Sequence, residues 1–398
     1  MAGRCPSCES HALAPVYQAR GMPVRDMFLV HTREEALREP RADVTLEFCR
    51  DCGFVFNATF RPSLLDYAAC YEETQGFSPT FGAFARSLAC RLADRYGLQG
   101  KHVLEIGCGK GEFLALLCEL GDNRGTGFDP AFVPDRMPPE AARRVTVVRE
   151  FYSDKHASLR PDFVCCRHTL EHIADVGAFA RMLRRAAGED RNVTVFIEVP
   201  DVTRILREGA FWDVYYEHCS YFSPGSLARL LRAAAFDIVE LYRDYADQYL
   251  ILTARPAAAF TEPPLALEND LAALSGLISR FARASAERIL WWRRRLDGLA
   301  VRGARTVAWG SGSKSVAFLS TLGVRDQVSC VVDINPHRQG RFLPATGHQI
   351  VAPESLVECP PDCVIVMNPV YAREIGESLA QLGLHPELLT VDAEAPPA

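Results

Sequence analysis

The sequence lacks any uninterrupted apolar run of about 18 residues, and its first ten residues, MAGRCPSCES, contain no apolar segment typical of a secretion signal. These absences predict a cytoplasmic protein without a membrane partner. Long basic runs are missing as well, and the formal net charge is -6. Because nucleic-acid binders usually carry a basic footprint, the charge pattern argues against nucleic acid as a partner.

Ten of the 14 cysteines are scattered, mostly in apolar segments where a reduced thiol behaves as a small hydrophobe, so a disulfide scaffold is not favoured. The other four form the pairs Cys5-x-x-Cys8 and Cys49-x-x-Cys52, and Gly53 follows the second pair. Two such pairs can offer four thiolates to one tetrahedral zinc ion, which would be structural because no coordination position stays open. The spacer of 40 residues is longer than usual, and four unrelated buried thiols are the alternative.

Length and composition predict more than one globular domain. At 398 residues, with 48% hydrophobic and 24% charged residues, the chain exceeds the size at which one core keeps growing. Residues 1 to about 60 are loop-rich and marked by cysteines, which indicates a separate small module. Helical spacing of apolar residues begins at 81–98.

Seven candidate strands follow this helix. They are expected at 102–107, 124–129, 145–150, 163–168, 193–199, 237–243 and 249–254. Helices separate the early strands, which predicts a mostly parallel sheet covered on both faces and closed by a hairpin of the last two strands.

A second, smaller α/β unit follows a linker rich in Pro and Ala and a long amphipathic helix at about 268–299. Its strands are expected at 306–310, 329–334, 363–367 and 388–392. The two α/β units share a pattern, VLEIGCGKGEFL with GFDP against TVAWGSGSKSVAFL with VVDINP. This weak internal repeat suggests duplication of one strand-turn-helix-strand unit.

The first of these glycine turns, residues 107–111, has a composition typical of a ligand-binding turn. Gly107, Gly109 and Gly111 follow a strand and open a helix, so the backbone can approach a ligand closely. Glu105 lies within the strand, and Asp129 ends the next one, where an acid can accept hydrogen bonds from ribose hydroxyls. The spacing departs from Gly-x-Gly-x-x-Gly, which argues against a dinucleotide.

EIGCGKG together with GFDP resembles motif I and the following acid of class I S-adenosylmethionine-dependent methyltransferases. The resemblance implies that the first glycine turn carries the methionine part of the cofactor S-adenosylmethionine and that the acid holds its ribose. CCRHTLEHI resembles the segment that flanks the cofactor, although a satisfied surface histidine is an equal alternative for His168 alone. The implied cofactor-binding residues are Glu105, Gly107, Gly109, Asp129, His168 and Leu170.

Over nearly its whole length the chain is similar to the sugar C-methyltransferases of deoxysugar biosynthesis. This implies an α/β fold with a class I methyltransferase Rossmann-like seven-stranded sheet, a small N-terminal zinc-binding module and a second, C-terminal Rossmann-like domain. The expected domains are a zinc-binding module at 1–65, a methyltransferase domain at 66–256, a linker with a long helix at 257–300 and a Rossmann-like domain at 301–398.

In this family a Tyr-x-Glu-His segment after the fifth strand supplies the catalytic histidine, and FWDVYYEHCSYFSP contains that segment at 215–218. The resemblance makes His218 the general base that removes a proton next to a ketone, because an imidazole titrates near neutral pH. Tyr215 would stabilise the enolate oxygen, and Glu217 would orient the imidazole. Tyr71, within YAACYEETQGFSP at 67–79, is a further catalytic candidate, a second tyrosine that would reach the substrate. The alternative is an aromatic lid with an inert histidine.

The second glycine turn, residues 310–315, reads GSGSKS and opens a helix whose free N–H groups suit an anion. In this family the substrate is a nucleotide-linked sugar held between the domains, so Gly312, Lys314 and Ser315 are candidate substrate contacts. A turn without a ligand is the alternative.

The substrate itself stays open. C-methylating members carry a glycine-rich turn between the last two strands, whereas this chain has DYADQYL, which places Gln248 beside the substrate. A methyltransferase acting on oxygen of a sugar, or on another natural-product scaffold, is therefore the rival. An inactive zinc-ribbon scaffold is the alternative from a different class. The oligomeric state is not predicted.

Overall fold

The computed structural model describes residues 3–65, 71–257 and 263–393. Within these ranges no helix has both the length and the apolar character needed to cross a membrane. Three β-sheets organise the described chain, and one cavity lies where their three parts meet.

The N-terminal segment forms an antiparallel sheet rather than the loop-rich module expected from the sequence. Its strands pair β1 with β2 and β2 with β3, and Phe48 lies opposite Val55. Val44, Leu46 and Phe48 are buried alternately along the second strand, a period of two that indicates a half-buried strand. The elements are β1 (Leu13–Pro23), α1 (Arg33–Leu37), β2 (Arg41–Cys49) and β3 (Val55–Asn57).

The central part contains all seven predicted strands, with ends shifted by only a few residues. Its elements are α2 (Pro79–Tyr96), β4 (His102–Ile106), α3 (Glu112–Gly121), β5 (Arg124–Phe128), β6 (Val145–Val148), β7 (Phe163–Arg167), α4 (Val176–Ala187), β8 (Thr194–Pro200), α5 (Val202–Glu208), β9 (Ser220–Tyr221), α6 (Pro224–Ala233), β10 (Phe236–Asp244) and β11 (Tyr249–Pro256).

The central sheet has the strand order β10-β11-β8-β7-β4-β5-β6. β4 to β8 are parallel, and β10 and β11 form an antiparallel hairpin at one edge. Helices cover both faces, because a parallel sheet built from near-continuous apolar strands has to be buried on both sides. The predicted α/β fold class with a parallel-rich central sheet is thereby confirmed.

The two-residue strand β9 belongs to the N-terminal sheet and not to the central one. Tyr221 pairs with Val55, and Ser220 pairs with Phe56. The guanidinium of Arg229 also donates to the carbonyl of Cys52 at 2.9 Å. The N-terminal segment is therefore not separate from the central part, as the sequence had suggested. The expected boundary between them falls at residue 66, which lies outside the described residues.

The C-terminal part is a smaller parallel sheet with the strand order β14-β13-β12-β15-β16. Its elements are α7 (Leu271–Val301), β12 (Thr306–Trp309), α8 (Ser313–Leu322), β13 (Val331–Val332), β14 (Ile350–Val351), β15 (Cys363–Val366), α9 (Ala372–Gln381) and β16 (Glu387–Thr390). The strand expected at 329–334 is shorter, and β14 was not predicted because two residues give no periodic signal.

The two units of the internal repeat also share a pattern of hydrogen bonds. In the first unit, Asp129 accepts from the backbone of Gly109 at 2.9 Å and of Ala131 at 2.8 Å. In the second unit, Asp333 accepts from the backbone of Ser311 and of Asn335, each at 2.8 Å. Both glycine turns are thus tied to the acid that ends the following strand.

Candidate active site

A cavity of about 1240 Å³ lies at the carboxyl ends of the strands of both α/β sheets. Both glycine turns line it, as do the strand ends after β5 and β7 and the segment that follows β8. This is the position where open parallel sheets bind ligands, because the turns there vary without disturbing the sheet. Of the predicted site residues outside the cysteine cluster, those along the cavity are Tyr71, Glu105, Gly107, Gly109, Asp129, His168, Tyr215, His218, Gln248, Gly312, Lys314 and Ser315.

The first glycine turn is shaped so that side chains are excluded. Gly107 has φ of +73° and packs against Thr169, whose Oγ1 would lie 2.0 Å from an added Cβ. Gly109 has φ of +53°, a backbone conformation that favours glycine. Its N–H holds one carboxylate oxygen of Asp129 in place at the rim of the cavity.

Glu105 lies beneath this turn and is 2% exposed. Among the described residues, its Oε2 has no hydrogen-bond partner, and its Oε1 is 3.7 Å from the Cys165 thiol. Burial raises the pKa of Glu105 to about 7. An orphaned carboxylate oxygen here fits a cofactor that brings positive charge to the turn.

His168 directly follows β7 and lies in the left-handed backbone region, with φ of +47°. Its ring lies between two carboxylates, 3.3 Å from Glu198 and 3.5 Å from Glu171. Burial alone would lower the pKa of His168, but these carboxylates raise it to about 9, so the ring is charged at neutral pH. Leu170 corrects the sequence expectation, because its side chain packs in the core and does not line the cavity.

His218, 8% exposed, lies in the same cavity. The Tyr215 hydroxyl is 3.3 Å from His218 Nε2, and the ring of His172 stands perpendicular to it with centroids 4.8 Å apart. Burial lowers the pKa of His218 well below its usual value, and the neighbouring positive charges of His168 and Lys314 act in the same direction. The imidazole is therefore neutral near pH 7. Burial also raises the pKa of Tyr215 well above its usual value, so this hydroxyl keeps its proton.

Glu217 does not orient the imidazole as expected from the sequence. Its carboxylate is 0% exposed and accepts from the backbone N–H groups of Asp26 at 2.7 Å and Met27 at 3.5 Å. It fastens the segment after β8 to the N-terminal part. The carboxylate beside His218 is that of Glu171 instead.

Glu171 and His172 were not among the predicted site residues, yet both line the cavity. An oxygen of Glu171 and ring nitrogens of His172 and His218 all lie within 4.8 Å of one another. His172 lines the same cavity as Asp129 and His218. The only sequence signal was a Glu-His pair within CCRHTLEHI.

The second glycine turn forms the opposite wall of the cavity. Gly312 precedes α8, and the hydroxyl of Ser315 donates to the carbonyl of Gly310. The Lys314 ammonium pairs with the carboxylate of Asp213, which also accepts from Arg204 at 2.5 Å. Burial lowers the pKa of Lys314, against the raising effect of Asp213.

Gln248 and Tyr71 both line the cavity, but each is held by neighbours. The Gln248 amide exchanges two hydrogen bonds with Asn368, at 2.8 and 3.2 Å, and so links the β10–β11 turn to the C-terminal sheet. The ring of Tyr71 meets Phe28 edge to face at 5.8 Å. Residues 67–70 of the predicted segment around Tyr71 lie outside the described residues.

The four cysteines of the two predicted pairs converge in the N-terminal part. Sγ of Cys5 is 3.6 Å from that of Cys52, and Sγ of Cys8 is 3.6 Å from that of Cys49. All four sulfur atoms lie within 4.8 Å of one another. Four sulfurs about 2.3 Å from a tetrahedral zinc ion would be close to these separations. The donor set therefore fits zinc.

The strand order of the central sheet, the first glycine turn and its hydrogen bond to Asp129 define the class I methyltransferase fold. The family described as "Methyltransferase domain" matches residues 81–241, and "C-methyltransferase C-terminal domain" matches residues 279–384. A ubiquinone biosynthesis O-methyltransferase of Rhodopseudomonas palustris is 31% identical over 197 residues, which cover 42% of this chain and 74% of that protein. The chain belongs to the S-adenosylmethionine-dependent methyltransferases.

Two further proteins are similar to this chain, one over 73% of its length and the other over 44%. The C-methyltransferase NovU of Streptomyces niveus is 28% identical over 306 residues, covering 73% of this chain and 72% of that protein. The solved structure of a Burkholderia thailandensis 1,6-didemethyltoxoflavin-N1-methyltransferase with S-adenosylhomocysteine is 26% identical, covers 44% of this chain and 79% of that chain, and has a TM-score of 0.35.

Proposed function

We propose that this methyltransferase transfers a methyl group to a carbon atom of a nucleotide-linked ketosugar, with His218 as the general base. The observation that carries the proposal is a neutral, buried imidazole in the cavity that the first glycine turn also lines. The match of residues 279–384 to a C-methyltransferase domain and the similarity to NovU support transfer to carbon.

The first step is removal of a proton from the carbon next to the ketone. The carbon–hydrogen bond breaks, the proton moves to the imidazole of His218, and the electron pair moves onto the ketone oxygen to give an enolate. Glu171, which lies near both His218 and His172, favours the charged imidazolium that forms. After transfer, the imidazolium returns its proton to solvent.

The enolate oxygen needs a donor that is already in place. The Tyr215 hydroxyl keeps its proton because burial raises its pKa, and it lies 3.3 Å from the base. The Lys314 ammonium adds positive charge on the other wall of the cavity. In a partly desolvated site, such donors stabilise developing negative charge more than water does.

Glu105, Gly107, Gly109 and Asp129 would hold S-adenosylmethionine, and His168 lies at the same end of the sheet. When bound, this cofactor supplies an electrophilic methyl group. The residues contribute close backbone approach at the glycines and acceptors at the two acids. Their fit is supported by the orphaned oxygen of Glu105.

The sugar nucleotide would lie against the second glycine turn. Gly312, Lys314 and Ser315 lie at the start of α8, where the positive end of the helix dipole favours a phosphate. Lys314 would then exchange part of its pairing with Asp213 for the phosphate. Gln248 lies on the rim, where it can contact the sugar.

The product of a reaction with ¹³C-methyl-labelled cofactor tests the proposal. We expect a carbon-bound methyl group in the carbon NMR spectrum of a methylated ketosugar. An O-methyl resonance would reject transfer to carbon.

The second candidate function is O-methylation, and it is favoured by the O-methyltransferase of Rhodopseudomonas palustris, which is 31% identical over 197 residues. In that case His218 removes a proton from a hydroxyl group and no enolate forms. The relative covers 42% of this chain, whereas NovU covers 73%, so we rank carbon transfer first.

We further propose that Cys5, Cys8, Cys49 and Cys52 hold a structural zinc ion. A closed four-sulfur site leaves no position for a substrate, so the metal would stabilise the N-terminal sheet without taking part in the reaction. Reduced thiolates suit the cytoplasm, where we place the protein. Metal analysis of the purified protein should find one zinc per chain, and none in a variant lacking two of the cysteines.

A further inference from the structure

Residues 71–77, called here the strap, cross the mouth of the first glycine turn. Glu72 fixes the strap to all three parts of the molecule. Its backbone N–H donates to Met27 O at 2.9 Å, and its carboxylate accepts from Arg136 at 2.8 Å and from Asn335 at 2.9 Å. The strap is therefore a fixed wall of the cavity.

The next residue, Glu73, faces the first glycine turn. Its Oε1 is the atom that an added Cβ on Gly109 would meet, at 2.5 Å. Its Oε2 lies 3.1 Å from the Lys110 ammonium. The Glu73 side chain is 29% exposed, and it lines the cavity.

Lys110 cannot serve a ligand as a free cation in this arrangement. Its side chain is 1% exposed, and its ammonium donates to Tyr71 O at 2.9 Å, to Glu73 Oε2 at 3.1 Å and to Ala131 O at 3.2 Å. An ammonium group has three protons, so its donors are all used. Lys110 holds the carboxylate of Glu73 in place and leaves Oε1 directed at the turn.

Four acids, Glu73, Glu105, Glu112 and Asp129, line this end of the cavity. The Lys and Arg side chains that act on them, Lys110, Arg167 and Arg136, are already paired with the carboxylates of Glu73, Glu198 and Glu72. Burial raises the pKa of Glu73 to about 7 and that of Glu105 also to about 7, and it raises those of Glu112 and Asp129. A ligand that carries positive charge would relieve this imbalance.

We propose that Glu73 binds the α-ammonium group of the methionine part of S-adenosylmethionine. With the ribose at Asp129, the methionine part extends across the first glycine turn, where Glu73 Oε1 faces Gly109. The start of α3 offers N–H groups and a positive dipole end to the α-carboxylate. Glu73 is thus a cofactor-specificity residue that reads the amino-acid end of the ligand.

Calorimetric titration of Glu73→Gln with two ligands tests this assignment. S-adenosylhomocysteine carries the α-ammonium group, whereas 5′-methylthioadenosine keeps the adenosine and the sulfur but lacks the amino-acid end. We expect a loss of about tenfold or more in affinity for S-adenosylhomocysteine, the size of a lost charged contact, and a change of less than about twofold for 5′-methylthioadenosine. Glu287→Gln, an exposed change on α7 that removes a surface pair with Arg283 away from the cavity, is the control and should alter neither affinity.

Equal weakening of both ligands would overturn the proposal, because it would mean that Glu73 only holds Lys110 and the strap in place. Unchanged binding of S-adenosylhomocysteine would overturn it as well. If Glu73→Gln does not fold, Glu73→Asp decides. That variant keeps the charge on a shorter side chain, and it should still lose affinity for S-adenosylhomocysteine selectively.

Discussion

His218 combines two properties at the scale of a single residue: it is buried, and the residues around it keep it neutral. Replacing it with glutamine keeps similar volume and polarity but removes the base. We expect His218→Gln to lower turnover by about 100-fold or more and to leave the affinity for S-adenosylmethionine unchanged. Steady-state kinetics and calorimetry on the same preparation measure both quantities. Turnover at the wild-type rate would leave His218 with a packing role.

Glu171 and Glu217 both lie near His218 in space or in sequence. Substituting each of them distinguishes an acid that supports the base from an acid that only holds the fold. We expect Glu171→Gln to lower kcat by about tenfold, because the charged imidazolium loses its carboxylate partner. Glu217→Gln should change kcat by less than about twofold, since the amide oxygen can still accept from Asp26 N–H and the repulsion with the buried Asp26 carboxyl is relieved. The reverse order of effects would restore Glu217 as the residue that orients the base.

The acids at the first glycine turn predict how cofactor binding depends on pH. The pKa values of Glu73 and Glu105, each about 7 without ligand, should fall when a cationic ligand binds. Protons are then released on binding, and affinity for S-adenosylmethionine should rise between about pH 6 and pH 8. Calorimetry at pH 7 in buffers of different ionisation enthalpy measures the number of protons released. Proton uptake would contradict this prediction.

At the scale of secondary-structure elements, the short strand β9 connects the cysteine cluster to the base. Ser220 and Tyr221 pair with β3, and they follow His218 by only a few residues. The position of His218 therefore depends on the N-terminal sheet, which the proposed zinc ion would stabilise.

Loss of one thiolate should therefore affect both stability and turnover. We expect Cys49→Ser to lower Tm by roughly 5 °C or more and to reduce kcat, while the affinity for S-adenosylmethionine stays near that of the wild type. Thermal unfolding and calorimetry are the measurements. Cys359→Ser, a change at an exposed cysteine far along the chain, is the matched control. Normal kcat in Cys49→Ser would show that the cluster does not position His218.

The sequence predicted those elements whose signal is local. The strands of the central sheet carry runs of apolar residues, and the first glycine turn carries its own spacing, so both could be identified. β9 and β14 have two residues each, too few for any periodic pattern. Polar and apolar residues alternate in RADVTLEFC, a pattern typical of a strand. This segment was nevertheless predicted to be loop-rich because of the cysteine pairs around it.

At the scale of the whole molecule, the tertiary fold explains why the other site residues were not predicted from the sequence. Glu171 and His172 follow β7, whereas His218 lies beyond β8, so only the parallel pairing of these strands brings the three side chains together. Glu217 was expected to orient the imidazole because carboxylates do so for catalytic histidines, but its carboxylate accepts from the backbone N–H groups of Asp26 and Met27 instead. Glu73 joins the site only because three parts of the chain hold the strap.

The cavity between the two α/β sheets gives the molecule its proposed chemistry, since the first glycine turn forms one wall and the second glycine turn forms the other. Proton removal by His218 is the central claim, and hydrogen exchange measures it most directly. The enzyme is incubated with a candidate ketosugar in deuterated water without S-adenosylmethionine, and the sugar is then examined by NMR. We expect deuterium on the carbon next to the ketone with the wild type and none with His218→Gln. Methyl transfer by a wild-type enzyme that introduces no deuterium would contradict the account.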